Sequence, residues 1–254
     1  MKVVLINGSP RSDGNTARAL AEMCRVFEKN GVETRMFKVG GKDIRGCVGC
    51  GNCASLGKCV YDDVVNEISA ELRDADGLVV GTPVYYASPN GTILSLLDRL
   101  FFSAHYSMAM KVGAAVAVAR RAGTTAAFDV LNKYFTISGM PVASSTYWND
   151  AFGGSPGEAE LDVEGMQTMV NLAENMTFLM KSIALGKKEY GIPKNDKRFM
   201  NFIRPEEGAK AVKAVQAVKS VKDQAVRKIF RKGAKGDTAP ESEADNKAET
   251  EEQS

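Results

Sequence analysis

Four of the five cysteines in this 254-residue chain lie in one short run, at Cys47, Cys50, Cys53 and Cys59. Their spacing is C-x2-C-x2-C-x5-C, and small residues separate the first three. A short loop of this kind can wrap around one compact centre. Iron–sulfur clusters are held by four cysteine thiolates, often with a C-x2-C-x2-C run. The spacing therefore favours an iron–sulfur cluster.

Two other interpretations of the cysteine run stay open. Structural zinc usually takes two C-x2-C pairs separated by a dozen or more residues, because each pair forms its own knuckle. The tighter spacing here is less natural for zinc but does not exclude it. The thiols could also hold no metal and form a labile disulfide. His105 is the only histidine, which excludes a metal site with two histidines.

A second group of residues suited to binding follows the first apolar run of the chain. The segment V-V-L-I at residues 3–6 leads into N-G-S-P-R-S-D-G-N-T at residues 7–16 and then into an amphipathic helix. Glycine backbone, a helix N-terminus and polar side chains together suit a phosphate group. Those side chains belong to Ser9, Ser12, Asn15 and Thr16. The alternative is an ordinary strand-to-helix turn with Asn15 or Thr16 as the N-cap.

The elements that must position these residues alternate between strands and helices. Strands are predicted at residues 3–6, 32–39, 77–82, 112–119 and 141–148. Helices are predicted at 16–30, 62–74, 128–135 and 158–185, with one more that starts at Ser88 as N-cap and Pro89 as first helical residue. This alternation predicts an α/β fold with a doubly wound, five-stranded parallel sheet and a cysteine-loop insertion at residues 47–59.

Three polar loops, at residues 7–16, 82–88 and 119–125, each follow a predicted strand. In doubly wound sheets, ligands bind outside the carboxyl ends of the strands, at a switch point in strand order. The three loops are therefore expected to meet at one edge of the sheet and to form a site there.

The bulk composition is that of a soluble globular protein, with 44% hydrophobic and 25% charged residues. A net charge of +2 does not point to nucleic acid as a partner. We see neither an apolar run of about 18 residues nor the features of a signal peptide. Grouped cysteines in such a chain indicate metal or redox chemistry. We therefore expect a cytoplasmic protein.

The last part of the chain has a different composition. Residues 209–235 hold nine Lys or Arg and one Asp, which predicts a basic helical extension at 206–235. Such a helix can contact an anionic membrane surface, but packing on its own domain or on another subunit is the favoured interpretation. Residues 236–254 are acidic, without large apolar residues, and are predicted to be a disordered tail. Residues 1–205 are left as the α/β domain.

Three segments together resemble the flavodoxin-like NAD(P)H-dependent FMN reductase superfamily. They are G-S-P-R…G-N-T at residues 8–16, G-T-P-V-Y-Y at 81–86 and Asp98-Arg99. With the cysteine run added, the chain is similar to the iron–sulfur flavoproteins of anaerobic archaea and bacteria. The resemblance covers residues 1–205 and does not extend to the basic extension or the acidic tail.

The resemblance implies a flavodoxin-like domain with bound FMN, a [4Fe–4S] cluster on Cys47, Cys50, Cys53 and Cys59, and assembly into homodimers or homotetramers. In that family the cluster of one subunit lies near the flavin of another. The FMN phosphate would lie on Ser9, Arg11, Ser12, Asn15 and Thr16. The ring would lie against Pro83, Val84, Tyr85 and Tyr86, with Arg120 and Gly123 on the third side.

Some of these roles have plainer alternatives. Tyr85 and Tyr86 could be core or interface residues, and Arg120 a solvated surface residue. We interpret Asp98-Arg99 as a structural ion pair. No catalytic acid or base is expected, because the flavin carries the chemistry.

Three functions are compatible with the sequence. The first is an iron–sulfur flavoprotein that takes electrons from a ferredoxin-like carrier and passes them to an acceptor. The second is a cluster-free NAD(P)H-dependent FMN or quinone reductase. The third is a non-enzymatic flavin electron carrier that docks through the basic extension.

Overall fold

The computed structural model describes residues 1–196. The strands are β1 Lys2–Asn7, β2 Glu33–Lys38, β3 Gly77–Tyr85, β4 Ser88–Pro89, β5 Val112–Ala119 and β6 Asp150–Phe152. Five of them form a parallel sheet in the order β2-β1-β3-β5-β6, and the short strand β4 pairs antiparallel with β3. Counted along the parallel strands, this is the flavodoxin-like order, in which the chain reverses direction across the sheet next to β1.

Helices cover both faces of the sheet. They are α1 Asn15–Lys29, α2 Cys53–Leu56, α3 Val64–Arg73, α4 Gly91–Ser103, α5 Thr124–Ile137 and α6 Val163–Tyr190. A 3-10 turn at Glu158–Leu161 precedes α6. The predicted doubly wound α/β fold is confirmed.

Alternating side chains of the central strands divide the core into two layers. Val4 and Ile6 of β1 pack with α3, α4 and α5, whereas Val3 and Leu5 pack with α1 and α6. All four side chains are fully buried. Because both faces of the strand are covered, its sequence is a continuous apolar run instead of an alternating one.

The predicted strand at residues 141–148 is wrong. Only Val142 forms a bridge, with Gly113, and the fifth parallel strand is β6 further along the chain. Segment 144–146 is bonded to α6 instead, since the Ser145 hydroxyl donates to the Thr168 carbonyl at 2.7 Å and Asn175 donates to the Ser144 carbonyl at 2.8 Å. These bonds draw the segment away from β5.

The predicted loop after β3 and the start of the next helix also differ. The strand continues to Tyr85 and turns back into β4, so Ser88 and Pro89 are strand residues and not a helix start. Asn90 is the N-cap of α4, and its side chain accepts a hydrogen bond from the Ile93 amide at 3.0 Å. Pro89 is compatible with this short edge strand because an edge residue can lack an N–H donor.

The cysteine segment is an insertion between β2 and α3, with α2 as its single helical turn. Residues Met1–Pro193 form one compact unit. The predicted domain end at 205, the basic extension at 206–235 and the acidic tail at 236–254 lie outside the described residues.

Candidate functional site

A cavity of about 200 Å³ lies at the carboxyl ends of β1, β3 and β5, where the sequence predicts a site. Eight of the predicted FMN-binding residues line it: Ser9, Arg11, Asn15, Thr16, Pro83, Val84, Tyr85 and Arg120. Ser12, Tyr86 and Gly123 are not among its lining residues. Three separate loops therefore converge on one concave surface.

The β1–α1 loop (residues 8–14) brings backbone donors to this cavity. The loop is held by its own side chains, since the Ser9 amide donates to Asn7 Oδ1 at 2.9 Å and the Arg11 amide to Ser9 Oγ at 3.2 Å. The N-cap of α1 is Gly14, which has no side chain to bond the first amides of the helix. A helix N-terminus of this kind attracts an anion.

Asn15 is held by the neighbouring loop. Its Nδ2 donates to the Ser155 carbonyl at 2.9 Å, and its Oδ1 accepts from the Ala159 amide at 3.1 Å. The interpretation of Asn15 or Thr16 as N-cap is wrong, because the glycine before them takes that position. Asn15 lines the cavity, but its amide group is committed to positioning residues 155–159.

Six further residues line the cavity. Pro10, Gly14 and Ala119 lie in the predicted loops without having been named as binding residues, whereas Val118, Gly153 and Gly154 lie outside those loops. The last two belong to a fourth loop, which follows β6. This loop contacts the first one, since Arg11 Nη1 donates to the Gly154 carbonyl at 3.3 Å.

Glu158 stabilises this fourth loop. Its carboxylate accepts hydrogen bonds from the amides of Ser155 and Gly154, and these bonds lower the pKa of Glu158. The sequence signal that could have identified this loop is the Gly-Gly-Ser run at residues 153–155.

The turn at Tyr86-Ala87 explains why two predicted residues lie outside the cavity. Both residues have positive φ, 51° and 59°, at the centre of the hairpin between β3 and β4. Tyr86 is fully exposed. Gly123, with φ 89°, packs beneath the turn, where an added Cβ would lie 2.8 Å from the Ala87 Cα. Gly123 therefore supports the rim of the site and does not line it.

Asp150 fastens the last strand to the helix that follows β5. It accepts a hydrogen bond from Thr124 Oγ1 at 2.8 Å, and burial raises the pKa of its carboxyl group. Thr124 is the first residue of α5. The bond thus fixes the end of the loop that carries Arg120.

The four cysteines of the run line a second, smaller cavity, together with Val48, Val60, Tyr61, Arg99 and Phe102 among others. Cys47 and Cys50 are exposed, Cys59 is half-buried and Cys53 is buried. Gly49 and Gly51, both at positive φ, flank Cys50 and let the backbone turn around it. In residues 1–196, no three Cys, His, Asp or Glu side chains are arranged to hold a single metal ion.

Thiolates are the ligands that iron–sulfur clusters and zinc prefer. Structural zinc needs all of its ligands around one point. A cluster presents a separate iron to each thiolate, so its ligands can stay further apart. A cavity shared by four thiols and mostly apolar neighbours therefore suits a cluster in its donor set.

Arg99 and Asn66 hold the fourth cysteine of the run. The Cys59 amide donates to Asn66 Oδ1 at 3.0 Å, and Asn66 Nδ2 donates to the Cys59 carbonyl at 3.1 Å. Arg99 Nε donates to Cys59 Sγ at 3.2 Å. Cys59 is thus fixed through its backbone and its sulfur by residues of α3 and α4.

The predicted Asp98-Arg99 ion pair is wrong. Arg99 pairs with Asp63 through two hydrogen bonds, of 2.6 and 2.9 Å, and Asp98 accepts from the Tyr134 hydroxyl instead. Adjacent residues in a helix point in different directions, so Arg99 is buried while Asp98 meets the neighbouring helix α5.

None of the helices described in residues 1–196 is both long enough and apolar enough to cross a membrane.

Comparison with known sequences gives one family. The model of the NADPH-dependent FMN reductases matches residues 1–154, which include both cavities. An iron–sulfur flavoprotein of Methanocaldococcus jannaschii is 32% identical, over 72% of this chain and 99% of the relative. An iron–sulfur flavoprotein of Methanosarcina thermophila is 31% identical, over 72% of this chain and 97% of the relative.

Among solved structures, RosB with the bound intermediate 8-demethyl-8-formylriboflavin-5'-phosphate is similar, with a TM-score of 0.59. The sequence identity is 16%, and the match covers 81% of this chain and 93% of RosB. At this identity the likeness establishes the fold alone.

Proposed function

This chain belongs to the iron–sulfur flavoprotein family, within the NADPH-dependent FMN reductases, and we propose that it couples FMN to a [4Fe–4S] cluster. It is a flavin-dependent oxidoreductase. In the proposed function it takes electrons from a ferredoxin-like carrier or NAD(P)H and passes them to an acceptor. Bound FMN would supply two-electron chemistry, and the cluster would exchange one electron at a time.

The residues at the sheet edge support FMN as the ligand of the larger cavity. The uncapped N-terminus of α1 and the Ser9 and Thr16 side chains offer donors to a phosphate. Pro83, Val84 and Tyr85 provide an apolar wall suited to a flat ring. Arg120 adds a positive charge on the third side. In this proposal the chain binds, orients and shields the flavin.

One observation carries the cluster part of the proposal: all four cysteines of the run line one cavity. Relatives at 31–32% identity are named iron–sulfur flavoproteins, which agrees with this donor set. Cys47 and Cys50 are exposed on the loop, whereas the Cys59 sulfur is held by Arg99.

Location and assembly form part of the same proposal. We expect a cytoplasmic protein that has no nucleic-acid partner. We also expect a homodimer or homotetramer, since electron transfer between the flavin of one subunit and the cluster of another would need an oligomer.

The name of the matching family favours one alternative function, a cluster-free NAD(P)H-dependent FMN or quinone reductase. Rapid bleaching of the flavin by NADH or NADPH would support that alternative, and failure of both nucleotides to reduce the flavin would exclude it.

The deciding experiment is anaerobic purification followed by an absorption spectrum and by FMN, iron, sulfide and zinc analysis. We expect one FMN and about four irons per chain. Cys50→Ser should lose the iron and keep the FMN, because Cys50 does not line the larger cavity.

Cys24→Ser is the matched control. Cys24 lies in α1, outside the run, and burial raises the pKa of its thiol to about 11, so the thiol is protonated and unreactive at neutral pH. This variant should keep both groups. Flavin without iron in the wild-type protein would contradict the cluster proposal and favour the cluster-free NAD(P)H-dependent reductase. Neither flavin nor iron would overturn the whole proposal.

A further inference from the structure

Arg99 is the most extensively bonded side chain at the cysteine cavity. It lies in the middle of α4 and is only 1% exposed. Beyond Asp63 and Cys59, its guanidinium donates to the Tyr61 carbonyl at 3.2 Å and to the Arg45 carbonyl at 3.3 Å. A single side chain thus bonds the segment before the cysteine run, its last cysteine and the start of α3.

Different nitrogens of the Arg99 guanidinium bond the cysteine sulfur and the carboxylate. Nε faces Cys59 Sγ, while Nη1 and Nη2 face the Asp63 carboxylate. The positive group therefore lies between the sulfur and the negative group. Asp63 is also 32% exposed, so solvent screens its charge more than that of Arg99.

We propose that Arg99 is a positioning residue for the cluster, which fixes Cys59 as the fourth ligand and holds a permanent positive charge against its sulfur. This inference rests on the proposed function. Arginine keeps its charge at all ordinary pH values. Net charge and hydrogen bonds to the sulfurs set the reduction potential of a cluster. Because reduction adds negative charge, a nearby cation stabilises the reduced form and raises the potential.

The same geometry assigns the opposite effect to Asp63. Its carboxylate opposes the charge of Arg99 from the far side of the guanidinium. Removal of the Asp63 charge should therefore raise the cluster potential, whereas removal of the Arg99 charge should lower it. A general loosening of the loop would not give opposite signs.

The test is a redox titration of the cluster in the full-length protein, prepared anaerobically with FMN and followed by electron paramagnetic resonance. Arg99→Gln should lower the constant for one-electron reduction at least tenfold, which corresponds to 59 mV. Asp63→Asn should shift the potential upward. Arg99→Lys retains the charge and should recover most of the potential, even though it loses the bidentate geometry.

Arg45→Gln is the matched control. Arg45 is an exposed arginine whose guanidinium packs on the Tyr61 ring at 5.3 Å, and its side chain is not among those bonded to a cysteine. The Arg45→Gln variant should leave the constant for one-electron reduction of the cluster within a few-fold of the wild-type value. FMN content and the melting temperature report whether each variant is folded.

The outcomes separate this inference from the function on which it rests. Wild-type protein without iron would overturn both. Wild-type protein with iron, but with the same potential in Arg99→Gln and Arg45→Gln, would overturn the role of Arg99 alone. If Arg99→Gln holds no iron, the cluster potentials of Arg99→Lys and Asp63→Asn test the proposal instead. A potential that falls or stays unchanged in Asp63→Asn would then overturn it.

Discussion

At the scale of single residues, Gly40 shows how closely the backbone is packed around the proposed phosphate site. Gly40 follows β2 and lies against the β1–α1 loop. An added Cβ would lie 2.1 Å from the Gly8 carbonyl oxygen and 2.2 Å from the Ser9 carbonyl carbon. Both are backbone atoms that cannot rotate away, so a side chain here must displace the loop.

We predict that Gly40→Ala weakens FMN binding at least tenfold, because the displaced loop no longer presents its amides to the phosphate. The adjacent Gly41→Ala is the control, since its Cβ would meet nothing closer than the Pro10 carbonyl at 3.9 Å. Titration of the flavin-free proteins with FMN, followed by flavin fluorescence, measures both affinities. Equal affinity in the two variants would contradict the packing argument.

At the scale of elements, α4 links the two cavities. Its N-cap, Asn90, is 3% exposed and donates through Nδ2 to the Gly8 carbonyl of the β1–α1 loop. Further along, the same helix carries Arg99 to the cysteine cavity. The same helix therefore contacts both proposed cofactor sites. A substitution at its N-terminus should affect the flavin site first.

We predict that Asn90→Ala lowers the free energy of unfolding by about 2 kcal/mol, with about 1 kcal/mol for the lost cap and a similar amount for the buried bond to Gly8. Asn90→Ser should lose only the second contribution, because serine caps a helix well but is too short to reach Gly8. Urea unfolding of the flavin-free proteins measures the difference. If Asn90→Ser is as unstable as Asn90→Ala, the cap contributes nothing.

At the scale of the whole molecule, both core layers lie within one compact unit that ends at Pro193. The last buried residues of α6, such as Met176 and Met180, complete the layer beneath α1. All the buried residues that the structure describes in these two layers lie before residue 194.

We predict that a chain ending at Pro193 keeps its FMN affinity within about twofold, because it retains every cavity and core residue that the structure describes. Thermal unfolding and FMN titration, each compared with the full chain, test this. Loss of folding would mean that the unit needs the later residues. Loss of binding to anionic vesicles or to an electron-transfer partner, with the fold intact, would assign docking to residues 194–254.

The sequence alone determined the fold class and the edge of the sheet where the site lies. The apolar runs around Val4, Val79 and Ala115 specify strands buried on both faces, and the helices between them force parallel pairing. Loops after parallel strands must meet at one edge, so most of the predicted FMN-binding residues could be expected to converge there, and eight of them line one cavity. The C-x2-C-x2-C-x5-C spacing likewise located the second cavity.

Only the tertiary structure decided which partner each polar side chain takes. Segment 144–146 could pair with β5 or bond to α6, and contacts with a helix formed much later in the chain chose the second. Arg99 could pair with its neighbour Asp98, but the direction of its side chain in α4 placed it on Asp63 and Cys59. Sequence patterns report which residues are buried. Hydrogen bonds between distant segments depend on angles and distances that exist only after the core has packed.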